Sequence, residues 1–219
     1  MSQLRPLFKE SERALQSRYF THEFADEASH LDRPFQLRPG YERLNVAPAY
    51  RERAEALFAA EPVIQWHQFA GHGLSSQVCC LNFLLPLADQ PKLLSRWVGA
   101  VLGIDPPEML VAEPNRAGRD WYVAFEWIGD RDYLNEANAK GSRTRGANAT
   151  AADAAIKFKA ADDKVHLVLI EWKYTESYGA PLTGDPTGKR IKRYGDIAFA
   201  PTGPIRAGCD LVLPSSSAR

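Results

Sequence analysis

Apolar residues recur at helical spacing among charges in LFKESERALQSRYF and again in AYRERAEALFAAE, and this pattern predicts two amphipathic helices in the first half of the chain. SSQVCCLNFLLPLA differs, being apolar on nearly every face until Pro86. It predicts a helix capped by Ser75 or Ser76 and buried against several neighbours. Asp89 and Pro91 then open a helix over PKLLSRWVGAVLG, with Gly103 as its C-terminal stop. Residues 1–104 therefore read as a helical layer. From Pro106 the pattern turns to Val, Trp, Tyr and Phe, and EMLVAEP and DWYVAFEWIG bracket the turn-like NRAG as a hairpin. A polar, Gly-containing connection leads to two more strands, DAAIKFK and VHLVLIEWKY, joined by AADD. The expected sheet has four or more strands, in one α/β domain spanning residues 1–219, with 105–219 as its sheet-containing part.

Length and charge narrow the picture. At 219 residues the chain is long enough to bury a sizeable core. Its 27 basic and 27 acidic residues balance, so nucleic acid would have to be held by a local patch rather than by net charge. Cys79, Cys80 and the distant Cys209 fit neither a disulfide framework nor a zinc site, which points to a reducing cytoplasm. The N-terminus carries no apolar core of a signal peptide, and no stretch approaches a membrane span.

The chemistry gathers at LVLIEWKYTE. Leu167 to Ile170 read as a central strand, yet Glu171 and Lys173 follow at once. Strand alternation puts both on one face, with Cα atoms about 7 Å apart at a rise of roughly 3.3 Å per residue. A turn of three or five residues pairs Asp153 with Glu171 and aligns Ala154, Ile156 and Phe158 with Ile170, Val168 and His166. A four-residue turn would split the carboxylates between faces. Adjacent carboxylates repel unless a cation joins them, and an oxygen-rich, partly open site suits Mg²⁺ or Mn²⁺. Lys173 is then placed to orient a water or to offset charge on a phosphate, which is the chemistry of phosphodiester hydrolysis.

Asp153, a hairpin, and Glu171-Trp172-Lys173 resemble the D…(D/E)xK signature of the PD-(D/E)xK nuclease superfamily. The wider ANATAADAAIKF…LVLIEWKYTE is similar to a bacterial restriction-endonuclease-like group. The resemblance covers about residues 120–180. It implies a restriction-endonuclease-like mixed central sheet preceded by helices, a Mg²⁺- or Mn²⁺-dependent endonuclease acting on DNA, and RNA as the alternative substrate. It further implies Asp153 and Glu171 as metal ligands, the Trp172 carbonyl as a third, and Lys173 as the charge-stabilising residue. The superfamily often adds an upstream acid, for which Glu136 is preferred over Glu126. The lysine strand is usually followed by a further helix and strand, whereas residues 179–219 show no convincing helix; on this pattern the chain reads as truncated at its C-terminus. A degenerate member of the same fold, binding nucleic acid or a protein without cutting, is the rival reading, and a homodimer stays open. Arg143, Arg145, Lys189, Arg190, Lys192 and Arg193 are the candidate phosphate contacts. His67 and His72 lack zinc-protease spacing, and GDPTGKR is one residue short of a phosphate loop.

Overall fold

The computed structural model describes residues 4–30, 32–134, 136–146 and 149–175, together with Tyr194 and Gly203. The chain divides into two compact units. The first comprises residues 1–127, 144–147 and 151–177, and the second residues 128–143, 148–150 and 178–219.

In the first unit, helix α1 (Leu4–Ala28) is followed by a small hairpin, β1 (Ser29–His30) and β2 (Arg33–Leu37). Helices α2 (Arg51–Ala59), α3 (Ser76–Leu84) and α4 (Pro91–Leu102) come next. The ends of α3 and α4 follow the sequence at Ser75, Pro91 and Gly103, whereas Gln90, not Asp89, stands at the N-cap of α4, Asp89 pairing instead with Arg53 and Arg119. Ser75 caps α3 by accepting from the Val78 N–H, while Pro91 opens α4 and Gly103, left-handed at φ 67°, closes it. Helix α2 buries Ala54, Leu57 and Phe58, the i, i+3, i+4 stripe of an amphipathic helix. The β1–β2 hairpin falls within the stretch expected to be mainly helical, where RPFQL is too short for its alternation to register.

The sheet is built on β7 (Ala152–Lys159). One edge of β7 pairs with β8 (Val165–Ile170), and its other edge pairs in succession with β3 (Glu108–Leu110) and β6 (Val123–Trp127), every named pairing being antiparallel. An isolated parallel bridge joins Ile64 to Arg145. Helices followed by sheet make this the expected α/β arrangement. The hairpin around NRAG is shorter than the sequence pattern implies. β4 (Glu113–Arg116) and β5 (Arg119–Trp121) pair across Ala117 and Gly118, both at positive φ, while β3 and β6 separately join β7. Each long apolar run thus serves two sheets, a division that periodicity alone does not mark.

Val123, Phe125, Ala154, Ile156 and Phe158 form one buried face against Leu81, Leu84 and Leu94 of the helices. The same strands keep β8 at an edge: Val165, Leu167 and Leu169 are exposed, and Val168 and Ile170 pack on the core. Among the described residues β8 is thus at an edge of the sheet, apolar on both faces and covered on one.

Two buried arginines brace this unit. Arg116 donates to the carbonyls of Leu57, Ala60 and Pro62, satisfying backbone groups at the end of α2, and Trp121 Nε1 donates to the Arg116 carbonyl at 2.7 Å. Arg145 donates to the carbonyls of Phe125 and Glu126, and Glu113 pairs with both guanidinium groups. Gly146, immediately after Arg145, has φ 73°, and an added Cβ would collide with the Gln65 carbonyl. Gly146→Ala is therefore expected to destabilise the fold by about 1–3 kcal/mol. Urea unfolding should show a lower midpoint at unchanged slope, and an unchanged midpoint would mean that this turn carries no strain.

Candidate active site

The β7–β8 ladder sets the local geometry. Ala154 lies opposite Ile170, Ile156 opposite Val168 and Phe158 opposite His166, across a five-residue connection. One further step in this register sets Asp153 across from Glu171, just where the chain leaves the ladder. Asp153 Oδ2 there accepts the Trp172 N–H at 2.6 Å, so its carboxylate serves as the next rung. Glu171 is exposed, and its Oε1 accepts from Lys173 Nζ at 2.5 Å. The charged residues after the apolar run thus need no burial, because they stand at the open end of an edge strand. Trp172 points the other way, packing on the core with its ring 5.1 Å from that of Phe83.

On the opposite edge of β7, Phe125 pairs with Ala154 and Trp127 with Ala152, which sets Glu126 across from Asp153. Glu126, Asp153 and Glu171 therefore occupy one row across three neighbouring strands. Glu126 has φ 49°, a left-handed conformation that costs a non-glycine residue energy and that clusters at functional sites. Its Oε1 accepts from Gln77 Nε2 at 2.7 Å, and Arg145 holds its carbonyl. Burial raises the Glu126 carboxyl above the usual glutamate range; the Gln77 hydrogen bond and Arg145 oppose this, while the charges of Asp153 and Glu171 add to it. Beneath the row lies Cys80 of α3, whose thiol is pushed up by burial and then by Asp153, so it is a core residue and not a nucleophile. Sequence reasoning alone does not single out Gln77; its signal is an amide inside a largely apolar helix, one it shares with Asn82.

The other candidates are placed differently. Glu136 belongs to the second unit, buried, where its carboxylate accepts from the Thr150 N–H and hydroxyl at 2.6 Å and from the Tyr194 hydroxyl at 2.8 Å. Arg143, in the same unit, donates to the carbonyls of Ile128 and Gly129. Arg145 is buried as the brace described above. Lys189, Arg190, Lys192 and Arg193 lie outside the described residues. His67 and His72 sit in the loop before α3, where each Nδ1 accepts a nearby backbone N–H. Among the described residues no group of three or more His, Cys, Asp and Glu side chains comes together as a metal cluster, and no helix is long and apolar enough to cross a membrane.

A family model described as Restriction Endonuclease associating with ARP matches residues 11–199, a span that includes both the helical layer and the carboxylate row. The chain belongs to this restriction-endonuclease-like family. No curated protein and no solved structure matches it.

The raised Glu126 carboxyl has a measurable consequence. Below the ordinary glutamate pKa it is protonated in the folded and unfolded chain alike, and its contribution to stability is complete. As pH rises through the raised folded value, the folded state must ionise a desolvated group, and that contribution is lost. Glu126→Gln cannot ionise and retains a polar end for Gln77. Its melting temperature should gain on the parent's as pH is raised from about 4 to about 8. A gap that does not change with pH would show that Glu126 is not desolvated as described.

Proposed function

We propose that the chain is a metal-dependent nuclease that hydrolyses phosphodiester bonds in DNA at a D…(D/E)xK-type site. The observation that carries this reading is the row of Glu126, Asp153 and Glu171 at the end of the β7–β8 ladder, with the Lys173 ammonium on the Glu171 carboxylate. The family match supports it, since the family is described as a restriction endonuclease.

The donor set fits a hard divalent cation. Mg²⁺ is commonly held by one or two carboxylates and keeps several waters, so the Asp153 and Glu171 carboxylates with the Trp172 carbonyl suffice as protein ligands, and Mn²⁺ accepts the same oxygens. When bound, the ion supplies charge neutralisation at the phosphate and lowers the pKa of water. The protein residues do the rest. The Trp172 N–H fixes the orientation of the Asp153 carboxylate. Lys173, exposed beside Glu171, offers its ammonium to a phosphate oxygen on which charge grows during attack. Glu126 is the extra carboxyl of the row, and Glu136 is its competitor for the role of additional acid. Lys189, Arg190, Lys192 and Arg193 remain the proposed phosphate contacts outside the site.

Lys173→Ala is expected to keep the fold, since the side chain stands at the open edge, and to lower Mg²⁺-dependent cleavage of plasmid and single-stranded DNA by about 100- to 1000-fold. Mn²⁺ affinity by calorimetry should survive in Lys173→Ala and fall in Glu171→Ala, separating chemistry from coordination. Comparing Glu126→Gln with Glu136→Gln identifies the additional acid as the variant that loses cleavage. Equal cleavage by Lys173→Ala and parent would move the chemistry elsewhere. A parent that cuts nothing with either metal would leave the non-cutting binding module as the correct reading.

A further inference from the structure

A concave feature beside the strand end takes no part in the site above. It is a cavity of about 360 Å³, lined by Lys9 and Arg13 of α1, by His67, Phe69 and His72 of the loop before α3, and by Thr175. Thr175 stands two residues beyond Lys173, at a bend of the chain. All of these residues belong to the first unit.

The lining has two kinds of chemistry. Lys9 and Arg13 are one helical turn apart, so they project from the same face of α1. Arg13 is steadied by the Phe35 ring, 4.8 Å from its guanidinium carbon. The Nδ1 of His72 accepts the Leu74 N–H at 3.0 Å and that of His67 accepts the Phe69 N–H at 3.4 Å, so in the neutral rings each Nε2 carries the proton and donates. Burial holds His72 below the usual histidine range, with Arg13 and Lys9 adding to the effect, which records how closely the positive charges approach it. No carboxylate is among the described lining residues. Beside these donors stands Phe69, a large apolar side chain left 53% exposed, its ring 5.3 Å from that of His67.

Cations that converge without an acid call for an anion, and an exposed aromatic face beside them calls for a flat, weakly polar group. A nucleotide carries both. Its phosphate suits Lys9, Arg13 and the imidazole donors, and its base suits the ring. Stacking requires an accessible base face, which a duplex does not present except at its ends, so the partner is unpaired. We propose that this cavity binds an unpaired nucleotide of the strand cut at the neighbouring site, with its base on Phe69 and its phosphate on Lys9 and Arg13, an inference that rests on the nuclease reading of that site.

The test reads binding without cleavage, so the two readings fail separately. With EDTA present, the full chain is titrated against a fluorescent single-stranded oligodeoxynucleotide, the matching duplex and a free nucleoside monophosphate. Phe69→Ala is expected to weaken single-strand binding about tenfold or more and to leave duplex binding little changed. Lys9→Ala and Arg13→Ala should each lower the salt slope of single-strand binding by about 0.7. To guard against disturbance of the loop by Phe69→Ala, a 5-iodouracil oligonucleotide is also cross-linked to the unmodified chain, and the adduct is expected on the peptide that holds His67 and Phe69. Absent single-strand binding, unchanged affinity in all three variants or cross-links confined to other peptides would each overturn the assignment. Displacement of the oligonucleotide by an equal concentration of free monophosphate would also overturn it, giving the cavity to a free nucleotide instead. Loss of cleavage in Lys173→Ala bears on none of these outcomes.

Discussion

The hold of Arg145 on β6 is the interaction from which the rest of the first unit follows. A buried guanidinium has to meet acceptors, and here they are the carbonyls of Phe125 and Glu126 and the carboxylate of Glu113. Taking one partner from a buried pair of this kind typically costs about 3–5 kcal/mol, because the other charge is then left uncompensated. Glu113 is shared with Arg116, and Arg116 closes the carbonyls after α2, so one carboxylate ties the β4–β5 hairpin to both the helical layer and the sheet. The strain at Glu126 is tolerable for the same reason. With its own carbonyl and that of Phe125 both engaged, the backbone is held at φ 49° while its side chain reaches Gln77.

That arrangement produces a graded row of acids. Glu126 is desolvated and pushed toward its neutral form; Asp153 is fixed by a backbone N–H; Glu171 is exposed and paired with Lys173. Three identical environments would give three competing anions. Three different ones set a desolvated carboxyl beside one held by a backbone N–H and one exposed to solvent.

The features legible in the sequence are those enforced by short-range rules. The pairing of Asp153 with Glu171 is readable because a one-residue slip would turn Ala154, Ile156 and Phe158 out of the core, and the ends of α3 and α4 because Ser75, Pro91 and Gly103 each suit one cap position. What escapes depends on distant partners. Leu167-Val168-Leu169-Ile170 reads the same in a central strand as at an edge, since periodicity does not say how many neighbours a strand has. Arg145 has the same side chain whether it faces a phosphate or a buried carbonyl. Glu126 reads as an ordinary sheet residue because nothing in VAFEWIG announces a left-handed turn at its glutamate.

The segment from Glu171 to Thr175 makes the site and the cavity parts of one surface. Trp172 is half-buried against the core, and the Tyr174 hydroxyl donates to Glu12 of α1 at 2.5 Å, its ring set edge-on to Phe8. Burial and then the Glu12 carboxylate hold that phenol well above its ordinary range. Glu171 and Lys173 are exposed at the carboxylate row, and Thr175 lines the cavity with Lys9 and Arg13. The packing of Trp172 on the core and the tie of Tyr174 to α1 thus hold the chain on either side of Lys173.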